Sequence, residues 1–284
     1  MTATTQLRRA ALLLLLPSFV AASKPLDTDR HASVWTPEFP THYETASAMT
    51  KASPISSGIG KGSKIALRYE PNTVALGLSG DYYGDISLGT PPQMFTVRFG
   101  ANTYLPTWVA NFPSGSKHRF YNHSKSSSYV ANGTAFGSPE SFLSGFYSED
   151  TMQFGDFTIQ QQLFAEVNNT INYPEYPRMA FDGFISLRRD TTPIDPFCSP
   201  SPFHRLVDSG VLEKPVFAFY YEKGVGGELT IGGVVNSHYT GEITYVPLEV
   251  SYDWRIQLDT ISVNGKNMSK VGIAWIMTML PIII

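Results

Sequence analysis

Residues able to do acid–base, nucleophilic or metal chemistry are scattered along this 284-residue chain. Its six His include no His-Glu-x-x-His pair for zinc, and no Gly-x-Ser-x-Gly elbow presents a serine nucleophile. Gly58-Ile59-Gly60-Lys61-Gly62 superficially resembles a phosphate-binding loop, but no strand pattern precedes it, no helix pattern follows and the spacing is wrong, so it reads as linker. Three carboxylates stand beside small residues: Asp182-Gly183, Asp208-Ser209-Gly210 and Asp259-Thr260. Phe203, Leu206, Val207 and Gly210 recur at i, i+3, i+4 and i+7, which makes Asp208 a solvated helix residue with Gly210 near the C-cap. Asp182 reads as a structural turn and Asp259 as an exposed strand position. Cys198, the single cysteine, cannot form a disulfide within the chain and reads as a buried or free thiol. Four Asn-x-Ser/Thr sequons, at Asn122, Asn132, Asn168 and Asn267, offer glycosylation sites.

The elements that would position these residues belong to a turn-rich globular chain, 42% hydrophobic and 13% aromatic, with 23 Gly and 20 Pro. That composition excludes bulk disorder, and a net charge of −3 gives no basic field for nucleic acid. No apolar stretch of about 18 residues or more predicts a membrane-spanning helix. Arg8-Arg9, the apolar run Ala10 to Leu16 and the small residues Val20-Ala21-Ala22 predict a secretory signal over residues 1–22, which places the protein on the route to secretion or a lysosome-like compartment. Residues 23–75 show no sustained period, hold five Pro, and read as a prosegment or linker.

From Val74 onward the apolar period is two, in short runs between Gly, Asn, Pro and Ser clusters. Strands are predicted over Tyr82 to Leu88, Met94 to Phe99, Gly145 to Phe154, Phe157 to Val167, Val216 to Tyr221, Glu228 to Ile231, Ile243 to Leu248 and Trp254 to Val263, with a turn at Gly155-Asp156. One helix, Pro202 to Val211, interrupts them. The fold class is mainly β.

Read in order, these pieces resemble the pepsin-like aspartic proteases over roughly residues 76 to 265. Gly80-Asp81-Tyr82-Tyr83-Gly84 to Gly89-Thr90-Pro91-Pro92-Gln93 is similar to the family's opening strand and turn. Phe95 to Val109 stands where the first active-site loop is presented, and Phe120 to Tyr129 resembles the segment after it. Phe136-Gly137-Ser138 with Ser144-Gly145-Phe146 and Asp150-Thr151 resembles the flap hairpin. Phe164-Ala165-Glu166-Val167, Ala180-Phe181-Asp182-Gly183, Tyr239-Thr240-Gly241, Val246-Pro247 and Trp254 to Gly265 continue the likeness.

The resemblance implies a β-rich acid-protease lobe over residues 76–250, with 251–284 as the start of a second lobe followed by an aberrant apolar tail from Val271. It also implies peptide-bond hydrolysis by two carboxylates that hold a water and share one proton, a dyad for which pepsin is a standard case. Each carboxylate would come from an Asp-Thr/Ser-Gly turn at a strand end. Here the first turn falls on Gly100, or on Ala101 when counted back from Trp108, and neither is acidic. Nearby Asn102 and Thr103 can hydrogen-bond a substrate but cannot act as acid or base, and loss of such a group costs about 10²- to 10⁴-fold. The second turn is absent before Ile284. Asp208-Ser209-Gly210 has a suitable composition but the wrong period, and is judged a decoy.

The implied substrate-binding residues are Phe136, Gly137, Ser138 and Trp108. Where the family has a flap Tyr that reaches Trp108, this chain has Phe136, which keeps the ring and loses the hydroxyl; as a half-buried strand residue Phe136 would need no such role. No cofactor and no metal are expected. The expected partner is a peptide or protein in the cleft, with self-association through an open lobe. The expectation is a secreted, glycosylated relative of the pepsin-like aspartic endopeptidases that is inactive as written; the competing readings are a non-catalytic peptide binder, a truncated product without function, and an active peptidase that needs a missing exon and a further carboxylate.

Overall fold

The computed structural model describes residues 9–15, 19–22, 62–71, 80–101, 105–113, 117–137, 142–188, 200–222, 224–248, 254–263 and 266–276. Asn102, Thr103, Ser138, Cys198 and residues 277–284 lie outside them. The period-two runs form strands, in chain order β1 (Arg9–Leu15), β2 (Phe19–Ala22), β3 (Ser63–Pro71), β4 (Gly80–Leu88), β5 (Gln93–Gly100), β6 (Trp108–Ala110), β7 (Val130–Phe136) and β8 (Ser144–Phe154). They continue with β9 (Phe157–Asn169), β10 (Gly183–Ser186), β11 (Val216–Glu222), β12 (Gly226–Ile231), β13 (Thr244–Pro247), β14 (Arg255–Val263) and β15 (Lys266–Trp275). One α-helix, α1 (Pro202–Asp208), lies between β10 and β11.

The strands run β13-β2-β1-β11-β12-β3-β4-β5-β10-β6-β9-β8-β7 across one sheet, while β14 and β15 form a two-stranded sheet whose Ile256 also bridges to Leu248. An added pairing of β4 with β8, Ser87 opposite Gln153 and Leu88 opposite Met152, closes β4, β5, β10, β6, β9 and β8 into a ring. Closure removes free edges there and encloses apolar side chains. On β5, alternate residues Phe95, Val97 and Phe99 enter the main core with Phe154, Phe157, Phe164, Phe217 and Phe219. A second cluster gathers Tyr83, Trp108, Phe136, Tyr147, Tyr176, Phe181 and Phe184.

Three segments form strands that the sequence pattern did not place. Ser63–Pro71, read as linker, alternates between buried Ser63, Ile65 and Leu67 and exposed Lys64, Ala66 and Arg68, and so forms β3 between β12 and β4. The residues read as the beginning of the apolar tail, Val271 to Trp275, complete β15, and the Ile276 amide donates to the Trp254 carbonyl at 2.8 Å. The apolar run read as a leader supplies β1 and β2.

The helix is shorter than its apolar period. Ser201 caps its N-terminus by accepting from the His204 amide, and Pro202 follows at the first helical position. Ser209 ends it, and Gly210 at φ +69° takes the left-handed conformation beyond the C-cap that side chains disfavour. Asp208 is exposed at this end, as its helical spacing predicted.

Candidate functional site

The turn expected to carry chemistry begins where β5 leaves the core. Parallel pairing with β10 sets Ser186 beside Gly100, and the Leu187 amide donates to the Gly100 carbonyl at 2.8 Å. Ala101 is fully buried in the main core. The Thr107 hydroxyl accepts from the Ser186 amide at 3.2 Å, while the Thr107 carbonyl accepts from Ala165 at 2.9 Å. The start of the turn is thus held by backbone bonds and one buried hydroxyl. Thr107 and Ser186 were not singled out from the sequence, because short polar residues near a strand end carry no periodic signal.

Gly183 lets β10 lie this close. A Cβ there would sit 2.4 Å from the Trp108 carbonyl oxygen and 2.9 Å from Val109 Cγ1. Directly before it, Asp182 is buried and accepts from the Thr96 amide, the Arg119 amide and Arg119 Nε at 2.8, 2.8 and 3.1 Å. The reading of Asp182 as a structural turn identified its place but not these bonds, which tie β5 and the segment before Tyr121 to the start of β10. Asp259 lies exposed on β14.

Trp108 heads the strand after the turn. Its ring meets Tyr176 edge-on at 5.6 Å and Phe181 at 6.1 Å, and its Nε1 is buried with no hydrogen-bond partner among the described residues. Such a donor costs about 1–3 kcal/mol relative to a satisfied one. Phe136 lies in the same cluster, opposite Gly145 in the β7–β8 hairpin, and packs edge-on against Tyr147 at 5.8 Å. Trp108 and Phe136 thus belong to the same core cluster. Gly137 follows at the surface with φ +67°.

Two further buried carboxylates anchor the hairpin from behind. Asp150 accepts from Tyr121 and from Ser128, the latter at 2.6 Å. Burial and this carboxylate together push the Tyr121 phenol far above its ordinary range, so it remains a neutral donor. Glu166 accepts from Ser148 at 2.6 Å and lies 3.0 Å from His123 Nδ1. At the opposite wall Tyr83 donates to Asp81 at 3.0 Å, and burial again raises the phenol well above its usual range. These bonds give each of the three buried carboxylates a hydrogen-bond partner. Neither Gly100 nor Ala101 carries a carboxylate.

Of the sequons, Asn132, Asn168 and Asn267 are exposed, whereas Asn122 is half-buried and uses its side chain to cap the turn at His123–Lys125. Among the described residues, no group of three or more His, Cys, Asp or Glu could hold a metal ion. None of the helices there is long and apolar enough to cross a membrane.

A model of the family described as eukaryotic aspartyl protease matches residues 81–278. The chain is 38% identical over 210 residues to vacuolar protease A of Aspergillus fumigatus, covering 68% of this chain and 50% of that protein. It is 35% identical over 209 residues to cathepsin D of Clupea harengus, covering 69% of this chain and 52% of that protein. For cathepsin D of Dictyostelium discoideum the identity is 33% over 203 residues, covering 67% and 52%. The chain spans about half the length of these curated relatives.

Proposed function

Because the chain belongs to the eukaryotic aspartyl protease family, we propose that it is a pepsin-like member that holds peptide segments beneath the β7–β8 hairpin without hydrolysing them. The observation that carries this reading is the turn at the end of β5, where Gly100 and Ala101 stand in place of a carboxylate. An aspartic endopeptidase needs one group ionised as base and another protonated as acid. Backbone amides can orient a peptide but cannot exchange protons in that pH range. Phe136, Gly137, Ser138 and Trp108 are the proposed contacts, the aromatic pair supplying apolar area and the hairpin backbone supplying hydrogen bonds.

The proposed setting is the secretory route toward a vacuole-like or lysosome-like compartment or the exterior. Support comes from the Arg8-Arg9 and leucine-rich leader pattern, the exposed sequons and the vacuolar name of several relatives. In this setting Asn132, Asn168 and Asn267 accept glycans. Sequencing the N-terminus of the chain secreted from a eukaryotic host tests the route: residue 23 is the expected start, and an intact residue 1 overturns the leader.

The test of function incubates the full chain with a denatured protein at acid pH, with and without pepstatin. No cleavage is expected, together with saturable binding of pepstatin itself measured by calorimetry. Pepstatin-sensitive cleavage overturns the non-hydrolysing reading and favours an active peptidase with a carboxylate elsewhere. Absence of both cleavage and binding overturns the peptide-binding reading.

A further inference from the structure

Asn132 and Gly133 sit where β7, the last strand of the sheet order, loses register with its neighbour. The ladder passes from Ala131 opposite Ser148 to Ala135 opposite Phe146, so residues 132–134 bulge out opposite Tyr147 alone. Both residues are exposed. The Thr134 amide donates to Asn132 Oδ1 at 3.2 Å, which closes a ring containing the Gly133 nitrogen and draws electron density from the side-chain carbonyl carbon, Cγ. Gly133 takes φ +74°, and a Cβ built there would meet nothing within 4 Å. Two other Asn side chains make the same bond, Asn122 from the Ser124 amide at 3.1 Å and Asn169 from the Ile171 amide at 2.9 Å. Their intervening residues are His123 and Thr170, whose side chains crowd the nitrogen between. Asn132 differs from both in being followed by a residue with no side chain.

We propose that Asn132-Gly133 is a site of spontaneous backbone modification, at which the Gly133 nitrogen attacks Asn132 Cγ and the side-chain amide leaves. The new bond joins the Gly133 nitrogen to Cγ, the Cγ–Nδ2 bond breaks, and the Gly133 N–H proton departs with Nδ2 as ammonia. Water then opens the resulting five-membered imide. Opening at Cγ leaves aspartate, and opening at the main-chain carbonyl leaves isoaspartate, with the chain running on through the former side chain. Either product adds a negative charge to the open margin of the sheet, and isoaspartate also lengthens the backbone there by one methylene. The expelled Nδ2 is the atom that a glycan at the Asn132-Gly133-Thr134 sequon would occupy. Under the proposed secretory setting the two modifications therefore exclude each other: a glycan holds Nδ2 in place, and a converted residue has no Nδ2 to glycosylate. This exclusion rests on that setting; conversion of the bare residue does not.

The test uses the full chain made in a host that adds no N-glycans, kept folded at mildly alkaline pH and sampled over days by peptide mapping. The peptide holding Asn132 is expected to gain the dalton that separates an acid from its amide, to split into two chromatographic species, and to release one ammonia per converted chain. Mapping resolves this pair from the chain's second Asn-Gly, Asn264-Gly265. The initial rate is expected to exceed those at Asn122 and Asn169 by roughly tenfold or more, and to be at least as high in the folded chain as in guanidinium chloride. Gly133→Ala should slow conversion roughly tenfold, whereas Thr134→Ala keeps the donating amide and should leave it unchanged. A rate at Asn132 no higher than at Asn122 and Asn169, or one clearly lower folded than denatured, overturns the proposal. In chain secreted from a eukaryotic host, the glycosylated form of Asn132 should stay unconverted while the bare form converts. Equal conversion of the two overturns the exclusion.

Discussion

Among the described residues Trp108 Nε1 is a buried donor without an acceptor, and Phe136 of the same core cluster has none to offer. Phe136→Tyr supplies a hydroxyl where the family resemblance expects one, and is expected to raise stability by about 1 kcal/mol. Thermal unfolding would show this as a rise of roughly 2–4 °C, and an unchanged or lower midpoint would refute the pairing. A second residue sets acid behaviour. Arg68 donates to both Asp85 oxygens at 2.7 and 2.8 Å and holds that carboxyl below its ordinary value of 3.8. A depressed folded-state value means the ionised form adds stability above about pH 4, and that this contribution fades as pH falls through the lower value. Asp85→Asn should therefore flatten the loss of stability of the parent below about pH 4, measured by denaturant unfolding across pH. The pair is substantially exposed, so the effect is small and screened by salt. At this scale, Gly100, Ala101 and Phe136 were legible as residue types at the positions that the family resemblance singles out. The roles of Thr107, Ser186 and Asp182 were not, because they depend on which backbone amides the fold brings within 3 Å or so.

The strands announce themselves through alternation wherever one face is buried and the other wet, which is why β5, β8, β9 and β11 fall within a residue or two of their predicted spans. Alternation also runs through Ser63–Pro71, but its neighbours are Pro- and Ser-rich, and the flanking composition hid a nine-residue strand. β10 is the opposite case. Its four residues, Gly-Phe-Ile-Ser, are all buried because both faces are covered, Phe184 by one core cluster and Ile185 by the other, so no period exists to read. Sequence landmarks located it; its pairing came only from the fold. Gly183→Ala tests how tightly it is wedged. With a Cβ 2.4 Å from the Trp108 carbonyl, β10 must move away from β6, and overpacking of this kind costs about 1–3 kcal/mol. The thermal midpoint is expected to fall by several degrees with the Trp108 environment altered in near-ultraviolet circular dichroism. A variant as stable as the parent would show that the wedge is loose.

The whole molecule combines a closed ring of strands with an open margin at β7, whose first six residues are all exposed. Asn132 stands on that margin, and under the proposed secretory setting a glycan there would shield an edge open to pairing with a second copy. Enzymatic deglycosylation of the secreted chain should raise light scattering at tens of micromolar, and Asn132→Gln should reproduce most of the change, whereas Asn267→Gln should not. Equal scattering from all three would remove the shielding role. The sheet order has a further consequence in time. β3 ends at Pro71 and its neighbour β12 begins at Gly226, so about 155 residues separate partners that lie side by side. On a ribosome adding roughly 5–20 residues per second, β3 waits on the order of 8–30 s for β12 to be made. During that interval the nascent chain offers Ile65 and Leu67 on a strand with one edge still empty. Its passage to the native state therefore depends on whatever folding helpers meet the growing chain as much as on the contacts it finally makes.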